Sequence, residues 1–318
     1  MLKSTREAFG EALTELAAQK PDIVCLTADS ARSMGLKRFL ELFPDRFFDV
    51  GIAEQNLVNV AAGFALLNFV PFAATYSVFL AMRALEQVRT FVAYPQLNVK
   101  FGAGLGGLSG DTEGVTHQAT EDVALIRAIP NLTLVSPADY YMARSAVAAA
   151  YAWEGPVYLR LGRGPSPTVY KEGAELRIGE PVILVDEGRD AVIFAVGRMV
   201  YEARTASEIL RQKGILTTVV DLHTIKPLNA GFIKNLAAES SYAVTVEDGC
   251  VDGGLGSALA EVIAGRPPGS RPVQLLRIGL ANTFGSSGKL EDLLEVYGLT
   301  AKAIAGRIED HVTGRISV

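Results

Sequence analysis

The chain is poor in the residues that most often announce a chemistry. Of its 318 residues, two are cysteine, three are histidine and one is tryptophan. Cys25 and Cys250 lie far apart and show no metal-ligand spacing, which points to a reduced, cytoplasmic setting. His117, His223 and His311 are too few and too scattered for a multi-histidine cage, so no metal ligand is assigned to this chain. No run of Lys and Arg occurs and the formal net charge is -5, which argues against a nucleic-acid surface. No stretch approaches the roughly 18 uninterrupted apolar residues of a membrane span. The opening MLKSTREAFGEAL is a charged helix and lacks the apolar centre of a signal peptide.

What is present describes a well-packed enzyme-like fold. Hydrophobic residues make up 49% and charged residues 20%, and the length suggests two domains. Ser4-Thr5-Arg6-Glu7 has capping-box spacing and opens a helix reaching Gln19. Short apolar segments then alternate with helical ones: "IVCLTA", a helix from Glu54 to Leu67, "VPFAATY", a helix from Phe79 to Val92, and "NVKFGAG". A helix over 120–127, "LTLVSP", a helix from Asp139 to Trp153 and "VYLRL" complete the first set. A second set holds the strands "AVIFAVG", "TTVVDL", "YAVTVED" and "VQLLRIG", with helices over 200–213 and 256–264. This order predicts an α/β chain of two domains, each a mostly parallel sheet covered by helices. The first domain is placed at 1–170, a Gly/Pro-rich linker at 171–188 and the second domain at 189–318.

In such sheets ligands gather at the carboxyl ends of the strands. The segments there are "TADSARS", "TYSVF", "GAGLGGLSGDTEGVTHQ", "SPAD" and "RLGRG". "GAGLGG" does not match G-x-G-x-x-G and runs into a polar loop, which favours a closely approached backbone over a dinucleotide site. "DGCVDGGLGSALAEVIA" opens a helix with glycines and reads as a structural helix entry or an anion site. His117 stands in a polar loop with Asp111 and Glu113 and could be a capping group or a catalyst. Arg160 and Arg163 could clamp a phosphate or be surface charges. Glu54 heads an apolar helix with Gln55 and Asn56 as its polar neighbours in sequence. A helix start favours an acid, whereas a buried carboxyl binds something or holds a proton.

The combination decides between these readings. "DVGIAEQN", "ATYSVF", "EGVTHQATEDVALIR" and "RLGRGPSP", in that order, resemble the pyrimidine-binding half of transketolases and of deoxyxylulose-phosphate synthase. The second half, with "GGLGSALAEV", is similar to their C-terminal domain. The resemblance implies a thiamine diphosphate-binding pyrimidine domain followed by a transketolase C-terminal-like domain. It implies transfer of a two-carbon ketol unit from a ketose phosphate to an aldose phosphate. Glu54 matches the glutamate that hydrogen-bonds the cofactor's pyrimidine N1′, an apolar surround keeping a proton on it. Tyr76, Phe79 and Met82 match the wall that stacks the pyrimidine, with Met82 where an aromatic is usual. Asp29 matches an acid near the cofactor, and His117 a histidine at the reacting end of the substrate. Arg6, Ser33 and Arg163 align with phosphate-holding residues. Arg160 joins them in the substrate set, as does Glu113, which stands where an aspartate is usual. "GAGLGG", near Gly104, replaces a phosphate-binding histidine.

Full-length members of the family carry a further α/β domain with a G-D-G…N signature that holds Mg²⁺ and the diphosphate. No such motif occurs here. The first helix starts within a few residues of Met1, so that domain is expected on a separate N-terminal transketolase subunit, in an α₂β₂ heterotetramer. The alternatives are the beta subunit of a 2-oxo acid dehydrogenase's decarboxylating component and a deoxyxylulose-phosphate synthase-like enzyme.

Overall fold

A computed structural model describes residues 3–314. The first helix, Thr5–Ala17, begins as its sequence dictates. The Ser4 hydroxyl accepts the Glu7 N–H at 3.2 Å, and the Glu7 carboxylate accepts the Ser4 N–H at 2.8 Å. Six strands follow, alternating with helical segments: β1 Ile23–Thr27, β2 Phe47–Asp49, β3 Val70–Tyr76, β4 Lys100–Gly104, β5 Thr133–Val135 and β6 Val157–Arg160. The second half contributes β7 Val182–Asp186, β8 Ala191–Ala195, β9 Thr217–Asp221, β10 Thr224–Lys226, β11 Tyr242–Cys250 and β12 Gln274–Leu280.

Two sheets result, in the orders β10-β5-β6-β4-β3-β1-β2 and β12-β11-β8-β9-β7. All pairings are parallel except β10 with β5 and β7 with β9. Strands β1, β4, β6, β8 and β9 are buried along their whole length. They are covered on both faces, and β8, Ala191–Ala195, shows the continuous apolar run of such a parallel sheet.

Several elements depart from expectation. β7 lies inside the segment read as a linker, and β10, three residues from the second half, forms an edge of the first sheet. β2 and the helices Lys37–Leu42, Ala230–Ala238, Leu290–Val296 and Ala301–Thr313 were not expected from the pattern. The helix expected over 79–92 is instead two π-helical stretches, Phe79–Arg83 and Val88–Ala93, around a short α-helical turn. Periodicity alone does not distinguish the wider turn from an α-helix, and π-turns concentrate at functional sites.

The cores run across the boundary between the halves. One cluster joins Phe101, Leu134 and Tyr158 of the first sheet to Phe194, Val220 and Leu259 of the second half. A second cluster, with Phe9 and Met34, lies on the other side of the first sheet, and glycines in β4 make room for it. A Cβ on Gly102 would lie 2.5 Å from the Phe9 ring, and one on Gly104 would lie 2.5 Å from Met34 Sδ. The second glycine-rich segment is likewise structural. The Glu247 carboxylate accepts the Leu255 and Gly256 N–H groups at 2.8 Å each, closing the start of the helix Leu255–Ala264 from within. Leu66, Phe91 and Tyr94 are exposed around an apolar groove between the helix Glu54–Leu66 and the π-helical segment. Among the described residues, no helix is long and apolar enough to cross a membrane.

Candidate active site

The carboxyl ends of β1, β3 and β6 open on one side of the first sheet. Past β1, Asp29 adopts φ 52°, and its N–H donates to Asp49 Oδ1 at 2.9 Å. The same oxygen accepts the Gly51 N–H at 2.9 Å. Asp49 therefore ties the end of β1 to the turn that leads into Glu54. A non-glycine residue held at positive φ costs about 1 kcal/mol or more, a strain that clusters at working sites.

Past β3, three rings assemble. Tyr76 and Phe79 have centroids 5.8 Å apart, and the His117 imidazole stands 5.9 Å from Tyr76 and 5.5 Å from Phe79. Thr116 Oγ1 lies 3.0 Å from His117 Nδ1, and Glu113 lies 3.8 Å from Nε2.

Glu54 is 2% exposed at the head of its helix. Its carboxylate accepts a 2.8 Å hydrogen bond from Arg83, whose guanidinium also lies 4.4 Å from the centre of the Phe79 ring. This corrects the expectation of a purely apolar surround. Arg83 went unnoticed in the sequence, although it follows Phe79 by four residues on a helical segment. Met82, expected in the stacking wall, is 42% exposed.

Beside the rings lies a recess of about 340 Å³ lined by Arg6, Asp29, Arg32, Ser33, Tyr76, Glu113 and Arg163. Arg163 donates to Glu113 at 2.5 Å and lies 3.5 Å from Asp111. Burial, then the nearby Arg163 cation, lowers the Arg6 pKa from its ordinary value. Two cations facing one recess with such mutual cost suit an anionic ligand. Ser33 donates to the Ser30 carbonyl at 3.0 Å, which fixes the rim. Arg32 is a third guanidinium that sequence reasoning passed over.

Arg160 does not belong to this recess. It is 5% exposed and donates to Asp122 at 2.9 and 3.1 Å and to Asp248 at 2.6 Å. Asp248 lies on β11, so the expected substrate clamp is a buried brace between the halves. The direction of a side chain at the end of a strand, which "RLGRG" leaves open, separates the two arginines: three residues apart, they serve opposite ends of the loop.

Comparison with known proteins identifies the family. The family model for the transketolase pyrimidine-binding domain matches residues 2–167, and that for the transketolase C-terminal domain matches residues 180–304. A protein of Methanocaldococcus jannaschii, named "Putative transketolase C-terminal section", is 42% identical, covering 98% of this chain and 96% of its own length. A 6-deoxy-6-sulfo-D-fructose transketolase subunit of Clostridium sp. is 38% identical, covering 98% of this chain and 94% of its own. A solved structure described as a split gene transketolase, an inactive beta4 tetramer, superposes with a TM-score of 0.89 at 40% identity, covering 98% of both chains. The 1-deoxy-D-xylulose-5-phosphate synthase of Chlorobium luteolum is 39% identical, and the match covers 96% of this chain but 48% of that protein. The chain belongs to the transketolase family and comprises its pyrimidine-binding and C-terminal domains.

Proposed function

We propose that the chain is the small subunit of a thiamine diphosphate-dependent transketolase that moves a two-carbon ketol unit between sugar phosphates. The observation that carries this reading is the convergence of Glu54, Tyr76, Phe79 and His117 beside a recess holding Arg6, Ser33 and Arg163. The donor set fits the pyrimidine end of the cofactor. Phe79 and Tyr76 offer a flat apolar wall, and Glu54 offers a buried carboxylate for a ring nitrogen. When bound, thiamine diphosphate supplies the nucleophilic carbon that lets a ketose give up two carbons. Asp29, at the carboxyl end of β1, lines the cofactor's side of the recess, and the partner subunit holds the diphosphate and Mg²⁺.

The roles of the protein groups follow from their chemistry. Glu54 would hold the pyrimidine N1′ through a shared proton, and Arg83 would orient the Glu54 carboxyl group for that contact. His117, packed at a steep angle to both rings, presents its imidazole to the hydroxyl and carbonyl oxygens of the substrate's reacting end. Arg6 and Arg163 hold the terminal anion of the sugar, with Ser33 as a neutral donor. Glu113 holds Arg163 in place until that anion arrives.

Glu54→Gln keeps the shape of the carboxyl and removes its charge. Assayed with a partner chain that carries the G-D-G…N domain, this variant is expected to fold normally and lose about 10²- to 10⁴-fold in kcat. Turnover equal to the wild type would refute the mechanism. Relatives named 1-deoxy-D-xylulose-5-phosphate synthase support a second reading, an enzyme of that kind. Release of CO₂ from pyruvate, with no ketol transfer from a ketose phosphate, would select that reading or the 2-oxo acid dehydrogenase one.

A further inference from the structure

The His117 loop is held by the other half of the chain. Its ends meet at Gly107 and Ala119, which exchange backbone hydrogen bonds of 2.8 and 3.0 Å. Within it, Asp111 takes φ 37°, and Leu108 is buried among Leu290, Leu293 and Ile278 of the second domain. The Gln118 side chain, 2% exposed, spans the gap. Its Nε2 donates to the Ser286 carbonyl at 2.9 Å and reaches the Asp111 carbonyl at 3.4 Å. Gly285 has no room for a side chain, since a Cβ there would collide with Gln118 Oε1 and press on Leu108. Gly114, at φ 76°, is crowded in the same way, since a Cβ there would lie 2.4 Å from Ser287 Oγ.

We propose that Gln118 is a positioning residue for His117, through which the segment 282–288 of the second domain sets where the imidazole stands. This rests on the reading of His117 as a substrate-facing group. Gln118 is the next residue in the chain, and both close on one acceptor: the His117 and Gln118 N–H groups donate to the Gly114 carbonyl at 3.0 and 3.1 Å. A shift of the amide therefore moves the imidazole with it. The second domain, which supplies none of the ring or guanidinium groups of the site, thereby acts on the reaction through the buried Gln118 amide, with the packing of Leu108 beside it. A displacement of about 1 Å at a reacting group costs on the order of a hundredfold in rate.

Nuclear magnetic resonance of the full chain tests this without a bound ligand. The chain has three histidines, so His117→Gln identifies one imidazole signal, and His223 and His311 report on folding elsewhere. The His117 signal is sensitive to position because the Tyr76 and Phe79 rings flank it. Gln118→Met and Gly285→Ala disturb the joint from opposite domains. In both, the His117 signal is expected to move or broaden while those of His223 and His311 stay in place. With the partner subunit, kcat is expected to fall about ten- to a hundredfold, with KM for the donor sugar little changed. An unmoved His117 signal, or unchanged kcat beside a displaced imidazole, would overturn the proposal. So would loss of all native signals in both variants, since Gln118 would then be general scaffolding. If the imidazole moves as expected but the wild-type complex transfers no ketol unit, the joint stands and the functional reading fails.

Discussion

At the scale of the residue, the buried titratable groups divide into those that work and those that hold the fold. His223 belongs to the second kind. Its Nε2–H donates to the Glu180 carbonyl at 2.9 Å and its Nδ1 accepts from the Thr224 hydroxyl at 2.9 Å, so the neutral ring is fully satisfied. Burial pushes its pKa from 6.5 down to about 4. Between those values the unfolded chain binds the extra proton. The stability that neutral His223 contributes is complete above pH 6.5 and falls as the pH drops towards 4. Burial raises Glu247 and Asp221 to about 7, and these act with the opposite sign over an overlapping window. The difference between wild type and His223→Asn isolates the histidine. In urea denaturation the variant is expected to be less stable at pH 7, the gap closing by up to about 3 kcal/mol as the pH falls to 4.5. A gap that does not change with pH would show that His223 is not held neutral. The residues of the candidate site are the more legible set. Glu54 stood out as an acid heading an apolar helix, whereas Arg83 and Gln118 act through contacts that no local pattern encodes.

At the scale of the element, the Arg160 brace joins the end of β6, the helix Asp122–Ala128 and β11. Asp122 is fully buried and Asp248 nearly so. Burial raises the Asp122 carboxyl, and the Arg160 cation pulls it back. Arg160→Met leaves two buried carboxylates without their cation and is expected to cost about 3–5 kcal/mol, read as a lower urea midpoint. An unchanged midpoint would show that solvent reaches the pair. The long buried strands were legible because a parallel sheet covered on both faces demands continuous apolar runs. β2 and β10, three residues each, are too short to show a period. β7 was hidden by the Gly- and Pro-rich composition around it, and the π-helical stretches share their apolar spacing with an ordinary helix. Turn geometry and side-chain direction, not composition, decide each of these.

At the scale of the whole molecule, the site is one-sided. Glu54 heads the helix whose far end exposes Leu66, and the π-helical stretch Val88–Ala93 exposes Phe91 and, just past its end, Tyr94; such an exposed apolar patch favours association. Tyr94→Glu places a charge in the patch and is expected to weaken assembly with the N-terminal subunit proposed above at least tenfold, measured by sedimentation, while leaving the melting of the isolated chain unchanged. Assembly as tight as the wild type would place the partner elsewhere. The strand β10 carries a further consequence. Because residues 224–226 complete a sheet begun two hundred residues earlier, the halves are not interchangeable modules. A chimera that grafts this first half onto a relative's second half must import a strand that fits against Val135, or leave that rim open to self-pairing.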